Sequence, residues 1–559
     1  MLRKLRSLAS DSMIYGASSA LGQVINFILV PLYTHHLTKT DYGTWAMLNI
    51  VLLLFVPLAN LGMSNTVFRR FNACKDEEER KEVLSTGLFS VVGSTVLLGV
   101  LCLTFVTALT GMLTQHKDGV LLMQLTILTA MINSIGAITM VILRADRLVR
   151  TAAVMNILQL LVSISVTIVL VAWLQIGLLG AVVGILAGAI VGTTAQFYIT
   201  RKAFRLEMRV ATWRAMLSYG LPFVPHQVQA VLLTVFGQFV VLNRLGEDEG
   251  GLYRLAVMFT VPFAFVVHAV QKAWVPFKFQ IHARDEDPAG FFRTAVTYYF
   301  AGTTYLWVGM SAWGPLLLLV MADAKFHKAA LLVPIIAAIP LSEGLYFMLG
   351  TGIELTNNTR TLPLASFLGL VTVVCTALPL VSALGATGAA LGTIIGWVVM
   401  AVAIYLLSQR YFRVPYDWPT LFAFLGGSAL CVLLSYQIHI TLNIPGRIVF
   451  ALGLSLVYPV LVTLVLLRSP TERGRMREIG KRLKALRKKK QSKPTVDTAT
   501  SKRTDEPSVA KKAIEDAKDT TVDGTSVSRA SRPTSNTGSS ENPPSEATPL
   551  VNEVDEIHP

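Results

Sequence analysis

The feature that most constrains this chain is a series of long apolar runs. Each run is about as long as the roughly 20 residues that a helix needs to cross the hydrocarbon core of a membrane. Three of the clearest are 83–111, 152–173 and 448–467. Only 15% of the 559 residues are charged, whereas an ordinary soluble domain has roughly a quarter. Because so little charge cannot cover an aqueous surface, the sequence predicts an integral membrane protein.

The runs predict an all-α fold with about fourteen transmembrane helices. The first run is long and contains Gln23, Asn26 and Pro31, which favours a retained helix over a cleaved signal peptide. The predicted spans are 12–33, 43–63, 83–111, 120–143, 152–173, 177–200, 216–242, 252–277, 295–321, 329–350, 362–383, 387–408, 418–437 and 447–467.

Basic residues are distributed unequally between the loops on the two sides of the predicted membrane. The loops on the side of the N-terminus carry 22 of them, whereas the loops on the opposite side carry six. Cytoplasmic loops are the ones enriched in lysine and arginine. We therefore predict a multi-pass membrane protein with both termini in the cytoplasm.

The sequence also repeats itself at an offset of 208 residues. The glycine pattern Gly177, Gly180, Gly184, Gly188 recurs as Gly385, Gly388, Gly392, Gly396. One such match would mean little, because small residues recur in membrane helices, but several matches at one offset indicate duplication. We predict the following organisation: a cytoplasmic N-terminus at 1–11, six-helix bundles at 12–200 and 216–408, a cytoplasmic linker at 201–215, and two further helices within 418–467.

Short motifs beside these spans resemble a known family. They are Leu37-Thr38-x-x-Asp41-Tyr42-Gly43-Thr44, Leu61-Gly62-Met63, Phe68-Arg69-Arg70-Phe71, Tyr219-Gly220-Leu221-Pro222, Gly251-Leu252-Tyr253 and Pro276. Over residues 10–467 the chain resembles the polysaccharide-transport branch of the multidrug/oligosaccharidyl-lipid/polysaccharide (MOP) exporter superfamily. It departs from many relatives at Gln238-Phe239, where they carry an acidic–basic pair.

The resemblance implies a fold like that of the multidrug-extrusion (MATE) transporters. The implied function is that of a flippase in the bacterial inner (plasma) membrane. Such a flippase turns an undecaprenyl-pyrophosphate-linked oligosaccharide from the cytoplasmic to the periplasmic leaflet, for surface polysaccharides such as O-antigen or exopolysaccharide. A polysaccharide polymerase and glycosyltransferases are the partners expected for such a flippase.

A substrate of this kind requires cations for its pyrophosphate and polar side chains for its sugars. Ionisable groups inside membrane spans are costly and mark functional sites. Lys272 and Arg254 are the first candidates for the phosphates, although snorkelling to the interface also explains Lys272. Glu343 is a candidate for proton coupling or for pairing with Lys272. The other candidate substrate-binding residues are Arg69, Arg70, Arg144, Asn26, Gln23, His226 and Gln229; positive-inside topology also explains these three arginines.

Patterns typical of enzymes and metal sites were not found in the sequence. The four cysteines form no CxxC or Cys/His pattern, and no P-loop, HExxH or GxSxG motif occurs. We therefore predict a protein that is not an enzyme and that has no cofactor and no metal.

The composition changes after Leu467. Residues 471–490 are rich in Arg and Lys with apolar residues at helical spacing, which predicts a basic amphipathic helix on anionic lipid headgroups and no nucleic acid as partner. Residues 491–559 are rich in Ser, Thr and Pro and predict a disordered cytoplasmic tail.

Three alternatives remain at this stage. The chain is also compatible with a MATE-type drug or metabolite exporter, with a lipid II flippase, or with a membrane scaffold that recruits a polysaccharide assembly complex through its tail.

Overall fold

A computed structural model describes residues 22–74, 76–145, 148–205, 208–284, 287–356 and 362–467 of the protein. Over these residues the chain forms helices and turns and no strand, which confirms the predicted all-α membrane fold. The start of the predicted first span, the basic helix at 471–490 and the tail at 491–559 lie outside the described residues.

In the described part of the first half, eight helices follow a helical stretch at 22–28. A π-helical turn, Val169–Trp173, extends the seventh, and a short 3₁₀ turn, Arg201–Ala203, follows the eighth. The helices are α1 (Val30–His36), α2 (Lys39–Asn60), α3 (Met63–Ala73), α4 (Glu77–Thr104), α5 (Val106–Leu113), α6 (Gly119–Ala145), α7 (Val149–Ile168) and α8 (Leu178–Thr200).

The second half follows a linker helix and contains a 3₁₀ segment, Ala324–Leu331. The helices are α9 (Val210–Gly220), α10 (Phe223–Leu245), α11 (Glu247–Arg284), α12 (Pro288–Met321), α13 (Val333–Ile336), α14 (Ala338–Leu349), α15 (Thr351–Leu355), α16 (Leu362–Leu384), α17 (Ala386–Tyr411), α18 (Trp418–Thr441) and α19 (Ile444–Leu466).

Thirteen helices of the described chain are long and apolar enough to cross a membrane. They correspond to the predicted spans two to fourteen, and the first predicted span is helical from residue 22. Several boundaries differ from the prediction. Span three is Glu77–Thr104 rather than 83–111, because the helix begins in the charged segment and ends before Phe105. Span seven is Phe223–Leu245 rather than 216–242, because the chain breaks at Pro222. Span ten runs over Val333–Leu355 rather than 329–350, because α14 continues into α15. Glu354 therefore lies in the last turn of a membrane span rather than in a loop.

The repeated glycines pack α8 and α17 against the helix that precedes each of them. Gly177 and Gly385 begin these helices with φ of +69° and +64°, a conformation that glycine adopts without strain. Behind them, Gly184 approaches Thr167 and Gly392 approaches Ala377 so closely that a Cβ atom on either glycine would overlap its neighbour. The repeat thus fixes the same close helix pair in both halves.

The two halves meet where α2 and α11 begin. A Cβ atom on Gly43 would overlap the backbone carbonyl of Glu247, and one on Gly251 would overlap the carbonyl of Lys39. These two contacts are exchanged by the 208-residue offset. Between them, the hydroxyl of Thr40 donates a hydrogen bond of 2.7 Å to Asp248, which is its own counterpart in the repeat. A local two-fold axis therefore passes through this contact.

The linker between the halves is attached to the first half. Arg205 and Arg209 form ion pairs with Glu78 and Glu82, which lie one turn apart at the start of α4. The indole of Trp213 in α9 donates to Ser90 at 3.1 Å. The helical chain is interrupted between Gly220 and Phe223, with Pro222 at the boundary. The linker helix α9 therefore packs with the first half, and the chain passes to the second half at this break.

The glycine contact gives a prediction about stability. Gly43→Ala places a methyl group against the carbonyl of Glu247, where backbone has to move, so we expect a loss of about 1–3 kcal/mol in stability. Gly309→Ala is the matched control, because no atom lies within 4 Å of a Cβ at that position. Thermal unfolding in detergent, followed by fluorescence-detected size exclusion, measures both. Equal melting temperatures for the two variants would contradict the proposed close approach.

Candidate functional site

A cavity of about 620 Å³ lies between the halves. The first span, α2, α7 and α8 form most of its wall, and α11 contributes the remainder. Its described lining is Gly22, Gln23, Asn26, Phe27, Tyr33, Trp45, Asn49, Asn156, Gln159, Leu160, Ser163, Ile164, Ile185, Arg254, Val257, Met258 and Val261. The cavity thus combines apolar and aromatic surface with an unusual number of side-chain amides.

Arg254 is the one charged side chain among the described residues that line this cavity. Its Nε atom is buried and has no hydrogen-bond partner in the described part of the chain. No described carboxylate forms an ion pair with Arg254. An uncompensated cation in a site poor in water is unfavourable unless an anion completes it. The cavity therefore has the electrostatics of an anion site.

The amides supply donors and acceptors around that cation. Gln23 and Asn26 come from the first span, and the Oε1 atom of Gln23 is buried with no partner among the described residues. Gln159 donates to Asn133 at 3.4 Å, which anchors one side of the wall. Neutral polar groups beside aromatic rings, here Trp45 and Tyr33, are typical of surfaces that bind neutral polar ligands.

A second polar cluster lies further along α11. The Nε2 atom of His268 is 3.0 Å from the carboxylate of Glu343 in α14. Beside this pair, the Tyr299 hydroxyl and Gln271 Nε2 are buried with no hydrogen-bond partner among the described residues. The side chain of Lys272 is exposed. The partner of Glu343 is thus His268, rather than Lys272 as the sequence analysis had considered.

The two clusters face the same direction on α11. On an ideal helix, positions 254, 268 and 272 fall within about 40° of one another, and the first two are about 21 Å apart along the axis. Pro262, which lacks an amide hydrogen, lies between them and weakens the helix at that point. One face of α11 therefore carries cationic or ionisable groups from the cavity to Lys272.

The other predicted site residues lie away from this cavity lining. Arg69 stacks on the Tyr219 ring at 4.4 Å, and Arg144 contacts the Met140 carbonyl through Nε at 3.3 Å. Arg70 lies in the last turn of α3. His226 and Gln229 lie in α10, and each has one buried polar atom with no partner among the described residues. Of the predicted set, the cavity brings together Gln23, Asn26 and Arg254.

Sequence reasoning missed three features. Asn49 lines the cavity from an otherwise apolar stretch of α2, and a search for single amides inside apolar spans would have found it. His268 was not assigned a role, because its partner lies 75 residues away in sequence. Lys278 was placed in a cytoplasmic loop, but its side chain is fully buried and pairs with Glu354. Both residues lie at the ends of their spans, and the carboxylate of Glu354 compensates the charge of the buried Lys278 side chain.

Comparison with known proteins agrees with this architecture. Residues 8–282 match the family model described as polysaccharide biosynthesis protein. The resemblance inferred from the sequence motifs is confirmed. No curated protein matches the chain in sequence.

Solved structures share the fold at low sequence identity. The lipid II flippase MurJ, in an inward closed conformation, aligns with a TM-score of 0.66 and 14% identity over 80% of this chain and 98% of its own. An inward-facing MATE family transporter of the MOP superfamily aligns with a TM-score of 0.60 and 16% identity over 69% of this chain and 94% of its own. A MOP superfamily transporter from Pyrococcus furiosus aligns with a TM-score of 0.53 and 14% identity over 72% and 94%. These likenesses show that the chain has a MATE-like fold.

The ion pair between the buried Lys278 and Glu354 is predicted to stabilise the fold, and a change in melting temperature tests this role. Glu354→Gln leaves a fully buried ammonium without its partner, which costs about 3–5 kcal/mol. We therefore expect a large fall in melting temperature. The double variant Lys278→Met, Glu354→Gln removes both charges and should recover most of the loss. Failure of the double variant to exceed the single one would show that the pair is not what the single substitution disrupts.

Proposed function

We propose that this protein is a flippase for a lipid-linked oligosaccharide, which it turns from the cytoplasmic to the outer leaflet of the bacterial inner membrane by alternating access. The family match and the fold support a membrane transport protein of the lipid-linked flippase or MOP type. The chemistry of the cavity supports the proposed substrate, and the charge asymmetry of the loops supports the proposed direction.

One observation carries the proposal. Arg254 is a cation without a partner among the described residues, and it faces a cavity whose other polar groups are mostly neutral amides. A pyrophosphate supplies the missing anion, and guanidinium groups bind phosphate oxygens with charge-assisted hydrogen bonds. The amides of Gln23, Asn26 and Asn49 then suit sugar hydroxyls, which both donate and accept. A lipid-linked glycan contains both parts.

The same charge argues against the exporter alternative for cationic drugs. A cationic ligand in this cavity would be repelled by Arg254, and no described lining residue is acidic. Coulomb interactions are strong where water is scarce, so this repulsion is costly. Anionic lipid-linked substrates are therefore favoured over cationic solutes.

The cationic face of α11 supports a direction for loading. The charge asymmetry of the loops assigns the α2–α11 contact to the outer side, so this contact closes the cavity toward the periplasm. Lys272 then lies nearer the cytoplasm and is exposed, whereas Arg254 lies near the closed end. An anionic headgroup meets Lys272 first and Arg254 last. The tail of the lipid stays in the bilayer throughout.

The pair His268–Glu343 is suited to couple this movement to protons. Both groups are ionisable, they lie 3.0 Å apart, and their side chains are 42% and 27% exposed. Protonation of the carboxylate removes the ion pair and frees the imidazole for an anionic headgroup. We therefore retain Glu343 as the proposed coupling residue, acting through His268.

Leaflet translocation in proteoliposomes tests the proposal. The probe is a fluorescent undecaprenyl-pyrophosphate oligosaccharide, and its exposure is read by dithionite quenching. We expect Arg254→Gln to lower the initial rate at least about tenfold, because a hydrogen bond to a charged group contributes roughly 1.5–3 kcal/mol. Arg254→Lys should retain more activity than Arg254→Gln. Lys272→Ala and Glu343→Gln should slow translocation while preserving folding.

Arg244→Gln serves as the matched control, since Arg244 is an exposed arginine at the end of α10 and does not line the cavity. Its rate should equal that of the wild type. If the wild type moves the probe no faster than empty liposomes but expels a drug-like solute, the protein is an exporter and the flippase proposal is wrong. If deletion of 491–559 abolishes function in cells while translocation by the core is unchanged, the tail acts as a scaffold.

A further inference from the structure

A basic pocket lies on the face of the first half that the charge asymmetry assigns to the cytoplasm. It has a volume of about 440 Å³ and is formed where α4 begins and where α6 and α8 end. Arg80, Lys81 and Lys202 line it, together with Glu77 and an apolar floor that includes Leu84 and Leu143. We call this set of residues the basic pocket.

The positive charge of the basic pocket is not balanced by the acidic residues around it. Glu77 is occupied by Lys81, one turn further along α4, at 2.9 Å. Glu78 and Glu82, on the same helix, are taken by the linker residues Arg205 and Arg209. No described carboxylate lies within ion-pair distance of Arg80 or Lys202.

Arg80 is nevertheless held in place. Its guanidinium lies 5.3 Å from the centre of the Phe71 ring, and Phe71 also lines the pocket. Counting Arg80, Lys81 and Lys202 against Glu77, the lining carries an excess of two positive charges. A concave surface with unbalanced cations at the membrane interface is suited to an anionic headgroup.

An apolar groove adjoins the basic pocket. It runs along α8 with a volume of about 520 Å³ and is lined by Ile190, Val191, Thr194, Ala195, Tyr198 and Ile199. Ile199 belongs to both linings, so the pocket and the groove are adjacent. From Ile190 to Ile199 the helix rises by about 14 Å. This is close to half of the roughly 30 Å hydrocarbon core, the depth that one leaflet provides.

From this adjacency and the unbalanced charge of the basic pocket, we infer that the first half binds an anionic phospholipid of the cytoplasmic leaflet, with its phosphate between Arg80 and Lys202 and one acyl chain in the groove of α8. This site is separate from the cavity at Arg254 and does not depend on the proposed substrate. Lys202 belongs to the 3₁₀ turn that opens the linker, so the bound lipid also holds the start of the linker against α4.

Photolabelling of the full-length protein tests the inference. The protein is reconstituted into phosphatidylcholine vesicles that contain a trace of photoreactive phosphatidylglycerol with a diazirine near the middle of one acyl chain. A phosphatidylcholine analogue with the same chain is the parallel probe. We expect the phosphatidylglycerol probe to label the α8 peptide with higher affinity than the phosphatidylcholine probe.

Two variants and a control make the result specific. Each basic residue near an anionic lipid contributes about 1 kcal/mol, so Arg80→Gln with Lys202→Gln should weaken labelling by phosphatidylglycerol about thirtyfold. Ala195→Trp fills the groove and should reduce labelling by both probes. Arg410→Gln is the matched control, because Arg410 is the exposed counterpart of Lys202 in the repeat and leaves the basic pocket intact.

Three results would overturn the inference. Equal labelling by the two lipids in the wild type means that the groove takes acyl chains without regard to the headgroup. Unchanged labelling in the double variant means that the basic pocket does not hold the phosphate. Inorganic phosphate is also added as a competitor at constant ionic strength. If it reduces labelling to the level of the double variant, the pocket binds a free anion instead of a lipid.

Discussion

The arrangement of this protein depends on the close approach of α2 and α11 at their first turns. Gly43 and Gly251 allow each backbone to touch the other, and the Thr40–Asp248 hydrogen bond joins equivalent positions of the two halves. Glu247 adds a link, since it accepts from the hydroxyl of Thr44 and from the backbone of Gln115. Because the glycines have no side chains, α2 and α11 come into backbone contact at their first turns and diverge further along their lengths. The cavity occupies the space between them.

Helix α11 connects this contact with the chemistry. Its first turn closes the cavity, its second places Arg254 there, and its later turns carry His268, Lys272 and the buried Lys278. These positions differ in what compensates their charge. Lys278 has Glu354 and His268 has Glu343, so both are satisfied within the protein. Arg254 has no such partner in the described part of the chain, so an anionic group of a substrate is the counter-charge proposed for it.

Much of the candidate site was accessible from the sequence because charge inside a membrane span is rare and therefore conspicuous. Arg254 was predicted in this way, whereas Gln23 and Asn26 were predicted as polar side chains of the first span that suit sugar hydroxyls. Of the two alternatives considered for Glu343, pairing with Lys272 is replaced by pairing with His268. Spacing along one helix gives the direction of a side chain but does not identify its neighbour on another helix. Asn49 escaped notice because one amide in an apolar span is equally typical of a bond between helices.

By itself the sequence determined the membrane fold, the helices and the repeat, because hydrophobic length and glycine spacing act locally and recur at a fixed offset. It also marked the polar residues that an apolar environment makes expensive. The tertiary structure decided which of them meet. Whether a buried charge is neutralised depends on residues far apart in the chain, as with Lys278 and Glu354 or His268 and Glu343. Only the packing of α11 against both halves distinguishes those paired charges from Arg254.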